Sequence, residues 1–140
     1  MKILLPVDGS DYSKRMLAHL AAHDELLGPG HDYVAFTSIP AVPPHATRFL
    51  DAAVLKGYYD EEAERVLAPI KAFAAQQKWS LRAAWAHGHA AEAIVAFAEA
   101  EHPQMIVMGT HGNSALGNVL LGSVTTGVLA RTKIPVLLVR

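Results

Sequence analysis

The sequence contains no cysteine, no long hydrophobic run and no cluster of basic residues. Without cysteine there can be no disulfide, thiolate metal site or cysteine nucleophile, and a reducing compartment is allowed. No apolar run reaches the roughly 18 residues that a membrane span needs, and the run after Met1 and Lys2 is too short for the core of a signal peptide. These absences predict a cytoplasmic protein without a membrane segment.

The charges of the chain nearly balance, because 12 basic and 13 acidic side chains give a formal net charge of -1. A protein that binds polyanions concentrates Lys and Arg in a patch, which this sequence lacks. We therefore expect no nucleic-acid partner and no attachment to anionic membranes. The 140 residues, 51% of them apolar, suffice for an ordinary core, so we predict one domain over residues 1–140.

Apolar segments typical of buried strands alternate with segments of helical period along the chain. Such alternation favours a parallel sheet with helices on both faces, because parallel strands need crossover connections. The sequence therefore predicts a doubly wound α/β domain. Its predicted strands cover residues 3–7, 33–38, 80–86, 105–108 and 136–139, and its four predicted helices cover 11–27, 49–78, 90–100 and 123–132.

Several residues predict where these elements begin, end or break. Ser10 is a suitable N-cap for the first helix, and the Gly-Pro-Gly run at 28–30 would end that helix. Three prolines make residues 39–48 a loop. Within the long helix, Gly57 predicts a break, and Pro69 predicts either a kink or the start of a new segment.

The predicted fourth strand runs into a glycine-rich loop that leads to a predicted helix. Gly109, Gly112 and Gly122, followed by Ser123, have the spacing G-x2-G-x9-G-S. Glycine lets backbone N–H groups approach an anion, and a helix N-terminus adds unpaired donors and a partial positive charge. The loop leaves the carboxyl end of a central strand, where open α/β sheets bind ligands. It matches neither a Walker A loop nor a dinucleotide-binding motif.

This loop resembles the hallmark of the universal stress protein family, in its ATP-binding branch, which is a G-x2-G-x9-G-[ST] loop near the C-terminus. The similarity extends to the segments 3–10, 88–94, 106–112 and 134–139. It implies a five-stranded parallel sheet of order 3-2-1-4-5, of the adenine nucleotide α-hydrolase superfamily type. It also implies a homodimer in which the edge strand Val136–Val139 pairs antiparallel with its copy.

The resemblance further implies a site for ATP, or for ADP or AMP, with Mg²⁺ or Mn²⁺ held mainly by the phosphates. Asp8 would lie near the ribose or adenine, and the glycine loop would surround the phosphates. Carried over residue by residue, the site comprises Pro6, Asp8, Ser38, Met108, Gly109, Thr110, His111, Gly112, Gly122, Ser123, Val124 and Thr125. No catalytic residue is predicted.

The residues of this site also have plainer interpretations. Asp8 could be a turn residue ahead of the first helix, since Asp-Gly-Ser is good turn chemistry. The glycines could serve only as turn residues, and Ser123 only as an N-cap. His111 could contact a phosphate, assist a proton transfer or be merely solvated.

Three residues depart from the family pattern. Asn113 stands where many relatives carry a basic residue, and no Lys or Arg occurs from residue 83 to residue 130. Phosphate charge would then be met by backbone N–H groups, by hydroxyl groups at the helix start and by a divalent ion. Ser38 replaces an aliphatic residue expected against the adenine, and Gln104 replaces an acidic residue before the fourth strand.

Eight histidines suggest a metal site, with His87 and His89 as the closest pair. No third ligand at suitable spacing completes a set, so we predict no metal-ligating side chain. The chain also lacks an evident general base or second catalytic motif, which favours a nucleotide-binding regulatory or stress-response protein, with slow ATP hydrolysis at most. The alternatives are a nucleotide-free dimeric interaction module and a slow ATP-hydrolysing or adenylate-transferring enzyme.

Overall fold

Five parallel strands form a single sheet in the order β3-β2-β1-β4-β5. The computed structural model describes residues 1–112 and 120–140. The parallel sheet and its strand order confirm the prediction made from the sequence. The strands are β1 (Lys2–Pro6), β2 (Asp32–Ile39), β3 (Ser80–His87), β4 (Met105–Gly109) and β5 (Val136–Val139).

Six helices lie within the described ranges, where the sequence predicted four. The two additional helices, α2 and α3, are single turns near the ends of β2. The helices are α1 (Asp11–Ala22), α2 (Asp24–Leu27), α3 (Pro44–Thr47), α4 (Ala52–Gln76), α5 (Ala90–Glu101) and α6 (Ser123–Arg131).

The prediction of one helix over residues 11–27 was wrong, because the chain breaks at His23 between α1 and α2. The ring Nδ1 of His23 donates to the carbonyl oxygen of His19 at 2.8 Å, and the backbone N–H of His23 donates to Leu20 at 3.3 Å. The ring thus occupies the acceptor that a continuing helix would use. The expected loop at 39–48 likewise contains α3, because Pro44 at its first position has the φ that a helix start requires.

The prediction of a break at Gly57 was also wrong, since α4 continues through both Gly57 and Pro69. It begins later than predicted, because the Asp51 carboxylate accepts the Val54 N–H at 2.8 Å and caps the helix there. Burial of α4 residues on the sheet outweighs the poor helix propensity of the two breakers. The buried residues of α4 are Tyr59, Ala63, Val66, Leu67, Ile70 and Ala74.

The core consists of two apolar layers, one on each face of the sheet. Along β1, Ile3 and Leu5 face the layer formed with α1 and α4, whereas Leu4 faces the layer formed with α5 and α6. All three side chains are fully buried. Alternate strand residues point to opposite faces, so a central parallel strand must be apolar throughout.

Polar side chains tie the strands together at the amino end of the sheet. Lys2 Nζ lies 3.2 Å from the carboxylate of Glu101, which also pairs with Arg82. The hydrogen bond from Lys2, together with the Arg82 charge, lowers the pKa of Glu101. The side chain of Gln104 accepts the Lys2 N–H at 2.5 Å, so its amide oxygen provides an acceptor where the family pattern has an acidic residue.

Tyr33 is buried at the same end, with 1% of its surface exposed. Its hydroxyl donates to the carbonyl oxygens of Leu27 and Gly28, the latter at 2.9 Å. Its ring stacks on Trp79, with 4.7 Å between the ring centroids. Burial raises the pKa of Tyr33 to about 12.

Candidate functional site

A crevice opens at the carboxyl ends of β1 and β4, where the strand order reverses. Its inner cavity has a volume of about 70 Å³ and adjoins a wider cleft of about 1080 Å³. Asp8, Ser38, His111, Gly112 and Val124 line both spaces, so the two form one crevice. Ligands of open parallel sheets bind at this point of strand reversal.

The structure brings all the predicted site residues except Thr110 to the wall of this crevice. Thr110 lies beneath the wall with 5% exposure. Asn113 lies outside the described residues. The inner cavity is lined by Pro6, Asp8, Ser38, Met108, Gly109, His111, Gly112, Val124 and Thr125, and the wider cleft adds Gly122 and Ser123.

Hydrogen bonds fix the carboxylate of Asp8 on the β1 side of the crevice. Its Oδ1 accepts the Ser10 N–H and the Ser13 hydroxyl, both at 2.9 Å. The Asp8 N–H donates to Ser13 Oγ at 3.1 Å. Gly9 between them has a φ of +78°, a conformation that favours glycine. Asp8 is therefore a turn residue whose carboxylate also lines the crevice, and its place beside the ribose or adenine stays a prediction.

Ser10 caps α1, as the sequence predicted. Its side chain accepts the Ser13 N–H at 3.4 Å. The turn at Asp8 and the start of α1 thus share one network, so the position of the Asp8 carboxylate depends on how α1 begins.

The three loop glycines make room for neighbouring groups on the opposite side of the crevice. A Cβ at Gly109 would lie 3.0 Å from the Cβ of Tyr12, and one at Gly112 would lie 2.5 Å from Asp8 Oδ2. A Cβ at Gly122 would lie 3.1 Å from the Cα of His111. Close approach of backbone accounts for Gly109 and Gly122, whereas Gly112 makes room for the end of the Asp8 side chain. The Gly122 N–H donates to the Thr110 carbonyl at 2.7 Å.

Hydroxyl groups support the floor of the crevice. The Thr125 hydroxyl is buried against the carbonyl oxygens of Gly109 and Thr110, each at 3.1 Å. Thr110 Oγ1 lies 3.0 Å from His111 Nδ1, and the His111 ring packs 4.9 Å from that of Tyr12. Thr110 and Thr125 thus direct their hydroxyls into the protein, which gives them a supporting role.

Helix α6 begins at Ser123, as the sequence predicted, but the alternative in which Ser123 is its N-cap was wrong by one residue. Gly122 occupies the N-cap position with no side-chain hydrogen bond, and Ser123 begins the helix. A glycine cap leaves the first N–H groups of α6 without a side-chain acceptor of the capping kind. The start of α6 can therefore receive an anion from the crevice.

The sequence analysis missed five residues of the inner cavity, one of which is Ser13 on α1. Phe36 comes from β2, and Ala90 and Ile94 come from the first turns of α5, while Val7 follows β1. The ends of the predicted strands could have revealed most of them, because every parallel strand ends at the same edge of the sheet. Ser38 at the end of β2 was predicted, and its hydroxyl donates to the Gly88 carbonyl at 3.2 Å.

The sequence analysis also missed two arginines, although their helical spacing could have revealed them. Arg65 lines the wider cleft seven residues after Tyr58, on one face of α4. Arg131 lies eight residues after Ser123 on α6, which again places both on one helix face. The lack of basic residues from 83 to 130 is thus partly offset by residues outside that stretch.

Within the described residues, no three His, Cys, Asp or Glu side chains come together as metal ligands. His87 stacks on Tyr59, with 4.6 Å between ring centroids, and His89 occupies the N-cap position of α5. In the same ranges, every helix is too short or too polar to cross a lipid bilayer.

The fold, with its crevice at the point of strand reversal, belongs to the doubly wound α/β class. The model of the Universal stress protein family matches residues 1–140. The chain therefore belongs to the universal stress protein family, which confirms the family that the loop predicted. A relative from Thermus aquaticus, "Universal stress protein in QAH/OAS sulfhydrylase 3′ region", is 36% identical over 139 residues, which is 99% of this chain and 97% of the relative.

Solved structures show the same fold. MJ0577 of Methanocaldococcus jannaschii superposes with a TM-score of 0.78 at 28% identity, over 99% of this chain and 94% of that one. A universal stress protein from Archaeoglobus fulgidus, solved in complex with dAMP, has a TM-score of 0.69 at 20% identity and covers 100% and 98% of the two chains. At that identity the likeness concerns the fold alone.

Proposed function

We propose that the crevice binds an adenine nucleotide, ATP first and ADP or AMP as alternatives, and that binding regulates the protein. The observation that carries the proposal is the arrangement of the two walls. The fixed carboxylate of Asp8 faces the start of α6 across a crevice at the point of strand reversal. The dAMP complex of the Archaeoglobus fulgidus relative supports the adenine nucleotide as the ligand class.

The chemistry of the crevice suits the three parts of such a ligand. Phe36, Ile94 and Met108 give the inner cavity apolar walls suitable for a flat base. The Asp8 carboxylate can accept hydrogen bonds from ribose hydroxyls. The N–H groups at the start of α6 suit a phosphate. Mg²⁺ or Mn²⁺ would be held mainly by the phosphates, as magnesium commonly is.

We further propose that the protein acts by binding rather than by rapid turnover. A ligand that binds only the folded state stabilises it by RT ln(1 + [L]/Kd), so nucleotide level can set the stability or the partner affinity of the chain. The His111 ring contacts the Thr110 hydroxyl and the Tyr12 ring, and we assign it to the wall of the site rather than to proton transfer. We expect this regulatory role in the cytoplasm, as the sequence predicts.

Calorimetric titration of ATP with Mg²⁺ into the nucleotide-stripped protein tests the proposal. Replacement of Asp8 by Asn should weaken binding by about 10- to 100-fold, because a hydrogen bond to a charged group contributes about 1.5–3 kcal/mol. The matched control Asp24→Asn changes an exposed carboxylate on α2 at the other end of the molecule and should bind ATP like the wild type.

Two other results would replace the proposal. If the wild type gives neither heat nor thermal stabilisation at millimolar ATP, the nucleotide-free interaction module becomes the function. If the protein releases ADP or pyrophosphate at catalytic rates, the ATP-hydrolysing or adenylate-transferring enzyme takes its place.

We also propose a homodimer through β5. This strand is at the edge of the sheet, paired with β4 on one side only, and Leu137 on it is 36% exposed. Unpaired strand edges are usually covered by a partner. Light scattering during size-exclusion chromatography should give the mass of a dimer at micromolar concentration, and Leu138→Pro should give that of a monomer. A monomeric wild type would contradict this proposal.

A further inference from the structure

The two arginines that line the crevice differ in what holds their guanidinium groups. Arg65 donates to the carboxylate of Glu62 at 3.0 Å, so a neighbour on the same helix compensates its charge. Arg131 donates to the main-chain carbonyl of Gly127 at 3.0 Å, which is a neutral acceptor. In the described part of the chain, no ion pair involves Arg131. Its charge is therefore available to a ligand.

Gly127 determines where the Arg131 guanidinium lies. A Cβ at Gly127 would be 3.3 Å from Arg131 Nη1 and 2.6 Å from the Cβ of Ala91 on α5. Because glycine has no side chain, α5 and α6 approach closely and the arginine folds back along α6 toward its first turn. A helix rises 1.5 Å per residue, so Gly127 lies about 6 Å along the axis from Ser123.

A second space connects these residues on the outer side of α6. Ser123, Gly127 and Arg131 line both the wider cleft and an adjoining cavity of about 320 Å³ between the starts of α5 and α6. A ligand chain that begins at Ser123 can therefore extend along α6 toward the guanidinium without leaving the crevice.

We infer that Arg131 binds the outer phosphates of the nucleotide and so makes the site selective for ATP over AMP. The inference rests on the proposed function, because it assigns the end of a ligand whose base lies in the inner cavity. An arginine fork matches the oxygens of a phosphate and keeps its charge at any physiological pH. Arg131 thereby replaces, from the far end of α6, the basic residue that the family pattern places at position 113.

Glu92 offers an internal counter-test, because it lines the adjoining cavity from α5. Its carboxylate repels the same outer phosphates that Arg131 attracts. Replacement of Glu92 by Gln should therefore raise the ratio of ATP affinity to AMP affinity, whereas replacement of Arg131 by Gln should lower it.

The experiment measures the affinity of the whole chain for adenosine, AMP, ADP and ATP by calorimetry. In Arg131→Gln, we expect unchanged affinity for adenosine. The loss of affinity should grow with each phosphate and reach about tenfold for ATP, which is the contribution of one charged hydrogen bond to binding. Lys133→Gln makes the same charge change at an exposed residue outside the crevice and should have no such effect. Arg131→Lys keeps the charge and should recover part of the ATP affinity.

The outcomes separate this inference from the function on which it rests. If the wild type binds none of the four ligands, the proposed function fails. If the wild type binds them but Arg131→Gln leaves ATP affinity unchanged, or weakens adenosine and ATP by the same factor, the role of Arg131 is wrong while nucleotide binding stands. If Arg131→Gln loses its fold, Arg131→Lys is measured in its place. Its ratio of ATP affinity to AMP affinity must then be lower than the ratios of the wild type and of Lys133→Gln, but higher than one.

Discussion

The two ends of the sheet differ in how closely their backbone segments approach one another and in which side chains meet there. At the amino end, side chains meet: Lys2 and Arg82 pair with Glu101, and Tyr33 donates to two carbonyl groups at the end of α2. At the carboxyl end, glycines leave space where the chain after β4 approaches Tyr12 and Asp8 and where the start of α6 approaches His111. Polar bonds hold both ends, since Asp8 and Thr125 are hydrogen-bonded at the open carboxyl end, but the open end also depends on the close approaches that its loop glycines allow.

This difference predicts how each end responds to mutation. A bond can be removed at a cost of about 1 kcal/mol, because water or a neighbour replaces part of it. A backbone that passes within van der Waals distance of a glycine has no such substitute, and an added side chain displaces the wall itself. A substitution of a loop glycine at the open end should therefore cost more than the loss of a polar bond at the amino end, as should one at Gly28, where a Cβ would overlap the Asp24 carbonyl oxygen.

The largest effect is expected from Gly122→Val at the open end. Its Cβ alone would lie 3.1 Å from the backbone of His111, so the chain just beyond β4 must shift to make room for the larger side chain. We expect about 3 kcal/mol of lost unfolding free energy, the upper part of the range for overpacking. Chemical denaturation measures this loss. The same change at Gly57, where no atom lies within 4 Å, should leave stability unchanged or slightly higher.

A smaller loss is expected from Tyr33→Phe at the amino end. The change keeps the stacking on Trp79 but leaves the carbonyl oxygens of Leu27 and Gly28 without their donor, at a cost of about 2 kcal/mol. The exposed Tyr58→Phe is the control and should cost nothing measurable. If Tyr33→Phe is more destabilising than Gly122→Val, the contrast between the two ends is wrong.

The pH dependence of the same residue follows from its raised pKa. A tyrosine whose folded pKa is about 12, against 10 when unfolded, stabilises the fold fully below pH 10. That contribution is lost as the pH rises from 10 through 12. Unfolding midpoints measured across this window should fall more steeply for the wild type than for Tyr33→Phe.

Ser13→Ala should have an intermediate effect on stability and a selective effect on binding. It removes the hydroxyl that donates to Asp8 Oδ1 and accepts from the Asp8 N–H, which costs about 1 kcal/mol. Because the carboxylate then loses its orientation, affinity for ATP should fall as well. Ser80→Ala, at an exposed strand start, is the control for both measurements. Unchanged ATP affinity in Ser13→Ala would show that the carboxylate needs no support.

The smallest effect is expected from Glu101→Gln, because the ion pairs of this residue are close to solvent and such pairs contribute little. The lowered pKa of Glu101 determines how its contribution to stability changes with pH. The stabilisation is present above the ordinary carboxyl pKa and is lost as the pH falls through the lower, folded value. The difference in melting temperature from the control Glu99→Gln should therefore be seen at neutral pH and disappear in acid.

The alternation of strands and helices predicted the parallel sheet, whereas the strand order and most of the crevice residues were implied by the resemblance to the universal stress protein family. Alternating strands and helices leave few topologies, and parallel strands bring their carboxyl ends to one edge. The end of α1 at His23 could not be predicted, because it depends on a ring that bonds the preceding turn. The continuity of α4 through Pro69 depends on tertiary burial, which no local propensity reports.

The meaning of the loop glycines illustrates the limit of pattern reading at the site. Their spacing predicted a phosphate loop and indicated the family, and of these the family is confirmed. What each glycine avoids was visible only in three dimensions, since Tyr12, Asp8 and His111 come from other parts of the fold or from the far side of the loop. Arg131 was missed for a related reason. It lies eight residues after Ser123, and only the structure shows that its side chain lines the cleft.

The shortest pairing in the sheet is that between β1 and β4. Strand β2 is registered with β3 over eight residue pairs and with β1 over five, but β1 and β4 share only two, Ile3 with Met105 and Leu4 with Ile106. The crevice lies directly above this short seam. A pulling force applied across the sheet should therefore separate β1 from β4 first. Asp8 would lie on one side of the separation and the loop glycines on the other, so a ligand that contacts both should resist it.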